Sequence, residues 1–150
     1  MFTKLKFVAI CCAVFAILYS CKKDDPEPVE TTNTTPASSG SFSWTVNGNT
    51  SFTSDSTRAY ASYTSIYAYK GGASNSMEIN LGSLAAGTYT ISSATGNALT
   101  LIKNGTSYSA GSGTVTLSSS GSKLSGTLTA AFSGTVVTTV TGQFSDVPVR

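Results

Sequence analysis

The chain has 150 residues, with 9 Lys and Arg against 7 Asp and Glu, a formal net charge of +2, 3 Cys and no His. Without His, Ser-His-Asp catalysis, Cys-His catalysis and His-based zinc sites are excluded. The cations are scattered and their excess is slight, so nucleic-acid binding lacks an electrostatic footprint.

Met1 to Lys6 carries two cations and no acid, and Phe7 to Leu18 carries no charge at all. These are the n-region and h-region of a signal peptide. A membrane-spanning helix needs roughly 20 apolar residues, so this run directs export but is too short for a comfortable permanent span. Residues 1–20 are expected to be removed, taking Cys11 and Cys12 with them. Cys21 would then be the single thiol of the mature chain, which rules out an intramolecular disulfide.

Leu18-Tyr19-Ser20-Cys21 resembles a bacterial lipobox, with Tyr19 larger than the small residue usual in its slot. The resemblance implies a lipoprotein whose Cys21 sulfur carries a diacylglycerol with palmitate-type chains. Each buried methylene contributes roughly 0.8 kcal/mol, so two or three such chains anchor far more firmly than one.

Residues 21–40 form the lipidated Cys and a tether. The stretch Lys22 to Gly40 has one sizeable apolar side chain, Val29, and is expected to be disordered because it cannot offset its ordering entropy. Cys-Lys-Lys-Asp-Asp looks like the start of Bacteroidota-type lipoproteins. In that group acidic residues just after the lipidated Cys accompany delivery to the outer leaflet of the outer membrane, and Asp24, Asp25 and Glu27 are the matching positions. Read without the resemblance, the same charges make a solvated, extended spacer.

Residues 41–150 are rich in Thr, Ser, Gly, Val and Tyr and contain no long apolar run at helical spacing, which favours strands. Phe42, Trp44 and Val46 share one face of a strand ending at the hairpin signal Asn47-Gly48, with Phe52 just beyond. Arg58 to Lys70 forms a second stretch, broken at Gly71-Gly72. Met77, Ile79 and Leu81 then alternate with Glu78 and Asn80, one dry face and one wet. Thr88 to Ile91 follows Gly87, and Asn104-Gly105 joins Ala98–Lys103 to Thr106–Ser109.

The remaining strands are Gly113 to Leu117, Lys123 to Phe132 after a turn over Ser118–Ser122, and Thr135 to Val147, with Pro148 as terminator. The prediction is a single all-β domain, an antiparallel β-barrel or β-sandwich of about 8–10 strands. Phe42 to Gly48, Gly87 to Ile91 and Gly142 to Ser145 together resemble a family of small uncharacterised β-domains found in Bacteroidota-type lipoproteins. That resemblance implies a lipocalin-like or sandwich-like fold and brings no catalytic residue with it.

The domain's carboxylates are only Asp55, Glu78 and Asp146, and nothing in the spacing pairs any two for acid-base work. Ser120-Gly-Ser-Lys123 has the Ser-x-x-Lys spacing but falls in a turn and not on a helix. No catalytic residue, metal site or cofactor is therefore expected.

Binding is the stronger reading. Tyr63, Tyr67 and Tyr69 would share a face if Arg58–Lys70 were one continuous strand, and with Trp44 they could stack on sugar rings. Cross-strand tyrosines that merely stabilise a sheet are the plainer alternative. Ser56, in Asp55-Ser56-Thr57, resembles the acceptor of Bacteroidota-type O-glycosylation and is expected in a loop. The functional expectation is a non-enzymatic, lipid-anchored envelope module that binds a glycan or an envelope protein. The alternative is a lipocalin-like carrier of a small hydrophobic ligand.

Overall fold

The computed structural model describes residues 40–150. The expectations for the signal peptide, Cys21 and the acidic trio Asp24, Asp25 and Glu27 fall outside these residues. Ten strands run in chain order: β1 Ser41–Val46, β2 Thr50–Thr53, β3 Ser56–Tyr60, β4 Ser65–Lys70, β5 Asn75–Asn80, β6 Gly87–Ile91, β7 Ala98–Lys103, β8 Thr106–Ser120, β9 Lys123–Phe132 and β10 Thr139–Pro148. The ladders between strands are antiparallel, and the sheet follows the order β2-β1-β10-β9-β8-β7-β5-β4-β3, with β6 added on β8.

The sheet curls into a half-barrel with two corners. One is β8, whose first residues pair with β7 and whose later ones pair with β6 and β9; its register shifts between Ala110 and Ser112. A bulge is the usual device for bending a strand from one sheet into another. The other corner is Ser54-Asp55, the two residues that separate β2 from β3. The two ends of the strand order are thus consecutive in sequence.

The concave face holds the core, where period-2 alternation delivers Phe42, Trp44, Val46, Ile66, Met77, Ile79, Leu101 and Val140, all essentially without solvent exposure. Glycines make room for the largest rings. Gly126 lies one strand from Phe144, and Gly142 is the partner of Trp44. A Cβ on Gly126 would overlap Thr116 O and come within 2.7 Å of Phe144 Cζ.

Three expected elements differ in detail. Arg58 to Lys70 is two strands, because Ala61–Tyr63 forms a single 3₁₀ turn and Thr64 takes a left-handed φ of 48°. Gly113 to Leu117 belongs to the longer β8, and the turn after it tightens to Gly121-Ser122. The last strand begins at Thr139 and not Thr135. Residues before it are drawn away by Asn47, whose Nδ2 donates to Val136 O (2.9 Å) while its Oδ1 accepts from Thr138 N (2.9 Å) and Thr139 N (3.2 Å). Val137 is buried as a result.

Candidate functional site

Strands β3, β4 and β5 turn one set of side chains inward and the other onto the convex outer face. Ile66 and Ala68 are buried, which places Tyr67 and Tyr69 outward on β4; Ala59 is buried, which places Arg58 and Tyr60 outward on β3. The same parity puts Glu78 and Asn80 outward on β5. Register then assembles them: Arg58 opposes Tyr67, Tyr67 opposes Glu78, and Tyr60 lies across from Ser65.

Four tyrosines form a connected chain on this face. Tyr67 and Tyr69 are parallel within 2°, with centroids 6.2 Å apart. Tyr60 meets Tyr67 edge-on at 5.9 Å and Tyr63 at 6.3 Å. Tyr63 joins by a different route from the one its spacing suggested. The strand is not continuous, and the 3₁₀ turn carries Tyr63 to the end of the chain, where it is 72% exposed. Ser65 Oγ holds that turn by donating to Tyr63 O at 2.8 Å.

A polar flank accompanies the rings. Tyr67 Oη donates to Glu78 Oε1 at 3.0 Å, and Asn80 Nδ2 donates to the same oxygen at 2.9 Å. Partial burial raises the Tyr67 hydroxyl above the ordinary tyrosine range, and its hydrogen bond to the Glu78 carboxylate adds to the rise. Tyr69 is also raised, first by burial and then by the neighbouring Tyr60 and Glu78, with Arg58 pulling in the opposite direction. These hydroxyls stay protonated as donors through neutral pH.

Trp44 is not part of this arrangement. It is 1% exposed on the concave side, stacks on Phe52 at 5.4 Å and meets Phe42 edge-on at 5.8 Å. Its parity with Phe42 and Val46 dictates the core position, and the aromatic rings of the outer platform are tyrosines alone. Trp44 Nε1 is buried with no hydrogen-bond partner among the described residues.

Ser56 opens β3, opposite Tyr69, and is half-buried at a strand start, not in a loop. Its neighbour Thr57 is buried and donates to Gly40 O at 2.9 Å. Asp55 is exposed, accepting from Lys70 Nζ at 2.7 Å and from Gly71 N at 2.8 Å. The Gly71 N–H and then Lys70 hold its carboxyl below the ordinary range.

Arg58, Glu78 and Asn80 are the platform members that the sequence reading did not single out as site residues. Alternation on β5 marked Glu78 and Asn80 as outward, but strand pairing alone brings them beside Tyr67. Glu78 thus accepts hydrogen bonds from Tyr67 and Asn80 on this face. Among the described residues no three His, Cys, Asp or Glu side chains gather as metal ligands. No protein-family model, no curated protein and no solved structure matches this chain.

Proposed function

We propose that this protein is a non-enzymatic, lipid-anchored module of the cell envelope that binds a glycan through the outer face of β3, β4 and β5. The observation that carries the reading is the chain Tyr63, Tyr60, Tyr67, Tyr69, edged by Glu78 and Asn80. Aromatic faces supply apolar area to sugar rings at low entropic cost, and carboxylate and amide groups at the rim pair with hydroxyls. Ser56, beside this face, is the proposed O-glycan acceptor, and an added mass on the native protein that disappears in Ser56→Ala would establish it.

A glycan array tests the binding role. Wild type should retain a defined set of glycans that Tyr67→Ala/Tyr69→Ala loses; a blank array would remove the reading. The anchor is tested separately: labelled palmitate should enter the wild type and not Cys21→Ala, and equal labelling would sink lipidation at Cys21. Surface proteolysis of intact cells, compared with an Asp24/Asp25/Glu27→Ala variant, addresses outer-leaflet delivery. Unchanged exposure would count against it.

Carriage of a small hydrophobic ligand is the second reading, supported by the apolar concave face around which the sheet curls. A guest in that interior should alter tryptophan emission. Titration with a hydrophobic fluorescent probe that leaves Trp44 emission unchanged would set this reading aside.

A further inference from the structure

Charge is placed unevenly across the tyrosine face. Arg58, Tyr67 and Glu78 occupy one cross-strand row on β3, β4 and β5. Neighbouring strands lie about 4.8 Å apart, so the backbone positions that carry the cation and the anion are roughly 10 Å from each other, with Tyr67 on the strand between them. Arg58 is exposed and, among the described residues, has neither a carboxylate partner nor a place over a ring. The other end of the row is already organised, since Glu78 Oε1 accepts from both Tyr67 and Asn80. Its second oxygen has no partner among the described residues.

Such a row asks for a ligand with an anion at one end, hydroxyl donors at the other and a ring face between them. A guanidinium fork matches a carboxylate through paired N–H donors, whereas it offers a neutral hydroxyl a weaker bond. A dense polyanion such as a polyphosphate would meet Glu78 as well as Arg58 and be repelled at that end. A sugar acid, with one carboxylate per ring and free hydroxyls, satisfies both ends.

We infer that the face takes an acidic glycan, a polymer containing uronic acids, with the carboxylate on Arg58, ring faces on Tyr67 and Tyr69, and hydroxyls on Glu78 and Asn80. This rests on the glycan reading above and narrows it to one class.

The test uses the full chain in affinity electrophoresis against three uronate polymers, polygalacturonate, alginate and hyaluronate, and against neutral galactan and mannan. Wild type should be retarded by at least one uronate polymer and much less by the neutral ones, with the retardation weakening as salt rises. Arg58→Gln should weaken uronate binding about tenfold, the scale of one lost charge-assisted bond. Arg58→Lys should recover part of it, and Tyr67→Ala should lose it. Equal binding of neutral and acidic polymers that is indifferent to Arg58→Gln but lost in Tyr67→Ala would overturn the acidic specificity and leave the glycan reading intact. Absence of binding to all five polymers would overturn both.

Discussion

Tyr67 occupies a position where one hydroxyl links the ring platform to its polar flank. Because burial and the Glu78 hydrogen bond both favour the protonated phenol, its folded pKa exceeds that of the unfolded chain. The sign follows from linkage: the stabilisation is complete below the ordinary tyrosine value and is lost as pH rises through the raised folded one. Tyrosinate absorbance followed against pH should therefore show a component titrating above free tyrosine. In Glu78→Gln that component should move down yet stay elevated, because burial, the larger cause, persists. A titration indifferent to Glu78→Gln would contradict the link. The adjacent Arg58 could not be assigned to the platform from sequence, since an exposed Arg looks the same wherever its strand pairs.

Among the strands, β8, β9 and β10 depend on glycines that face inward. Gly126 is the sharpest instance: a methyl there would overlap the Thr116 carbonyl and press on Phe144. Backbone cannot give way as a flexible side chain can, so Gly126→Ala should cost about 1–3 kcal/mol, read as a lower urea midpoint with an unchanged slope. Gly48 is the contrasting control for overlap, because a Cβ there meets nothing within 4 Å, although its φ of 71° still favours glycine.

At this scale much was legible. The alternation of Met77, Ile79 and Leu81 with Glu78 and Asn80 was read correctly because the pleat imposes a period of two. The break at Thr64 was not, since Tyr60-Ala61-Ser62-Tyr63 contains no Gly, Pro or Asn to mark a turn. The loop before β10 was also missed: Thr135-Val136-Val137-Thr138 has strong strand propensity, and the side chain of Asn47, about 90 residues earlier, overrides it.

Over the whole molecule, closure depends on a few bonds between β3 and the two chain segments beside it. Thr57 Oγ1 donates to Gly40 O, Ala61 N to Arg150 O, and Arg150 N to Ala59 O, each at 2.9 Å. Thr57→Val keeps the shape and removes the donor, leaving the Gly40 carbonyl without it. Unfolding free energy should fall by about 1–3 kcal/mol, and amide exchange at Ala59 and Ala61 should accelerate more than exchange in β9. Uniform acceleration would show that the effect is not local to the closure.

The two outer surfaces that closure separates differ in chemistry. One carries the tyrosines with Arg58 and Glu78. The other carries an in-register row of hydroxyls, Ser51, Thr45, Thr141, Thr129, Thr114 and Thr90, without a charge.

Composition and period-2 patterning, both local properties, were enough to determine the all-β class, the strand faces and the exclusion of His-dependent chemistry. Parity set Trp44 on one face with Phe42 and Val46, but only the structure, which buries that face, removed Trp44 from the binding residues and placed it in the core. Tertiary structure decided which outward residues become neighbours. Pairing β3 with β4 and β4 with β5 sets Arg58, Tyr67 and Glu78 in one row, and a slip of one residue in either ladder would send the partner's whole outward set to the core. The tyrosine platform is consequently a property of register, a long-range quantity that no single segment of the chain contains.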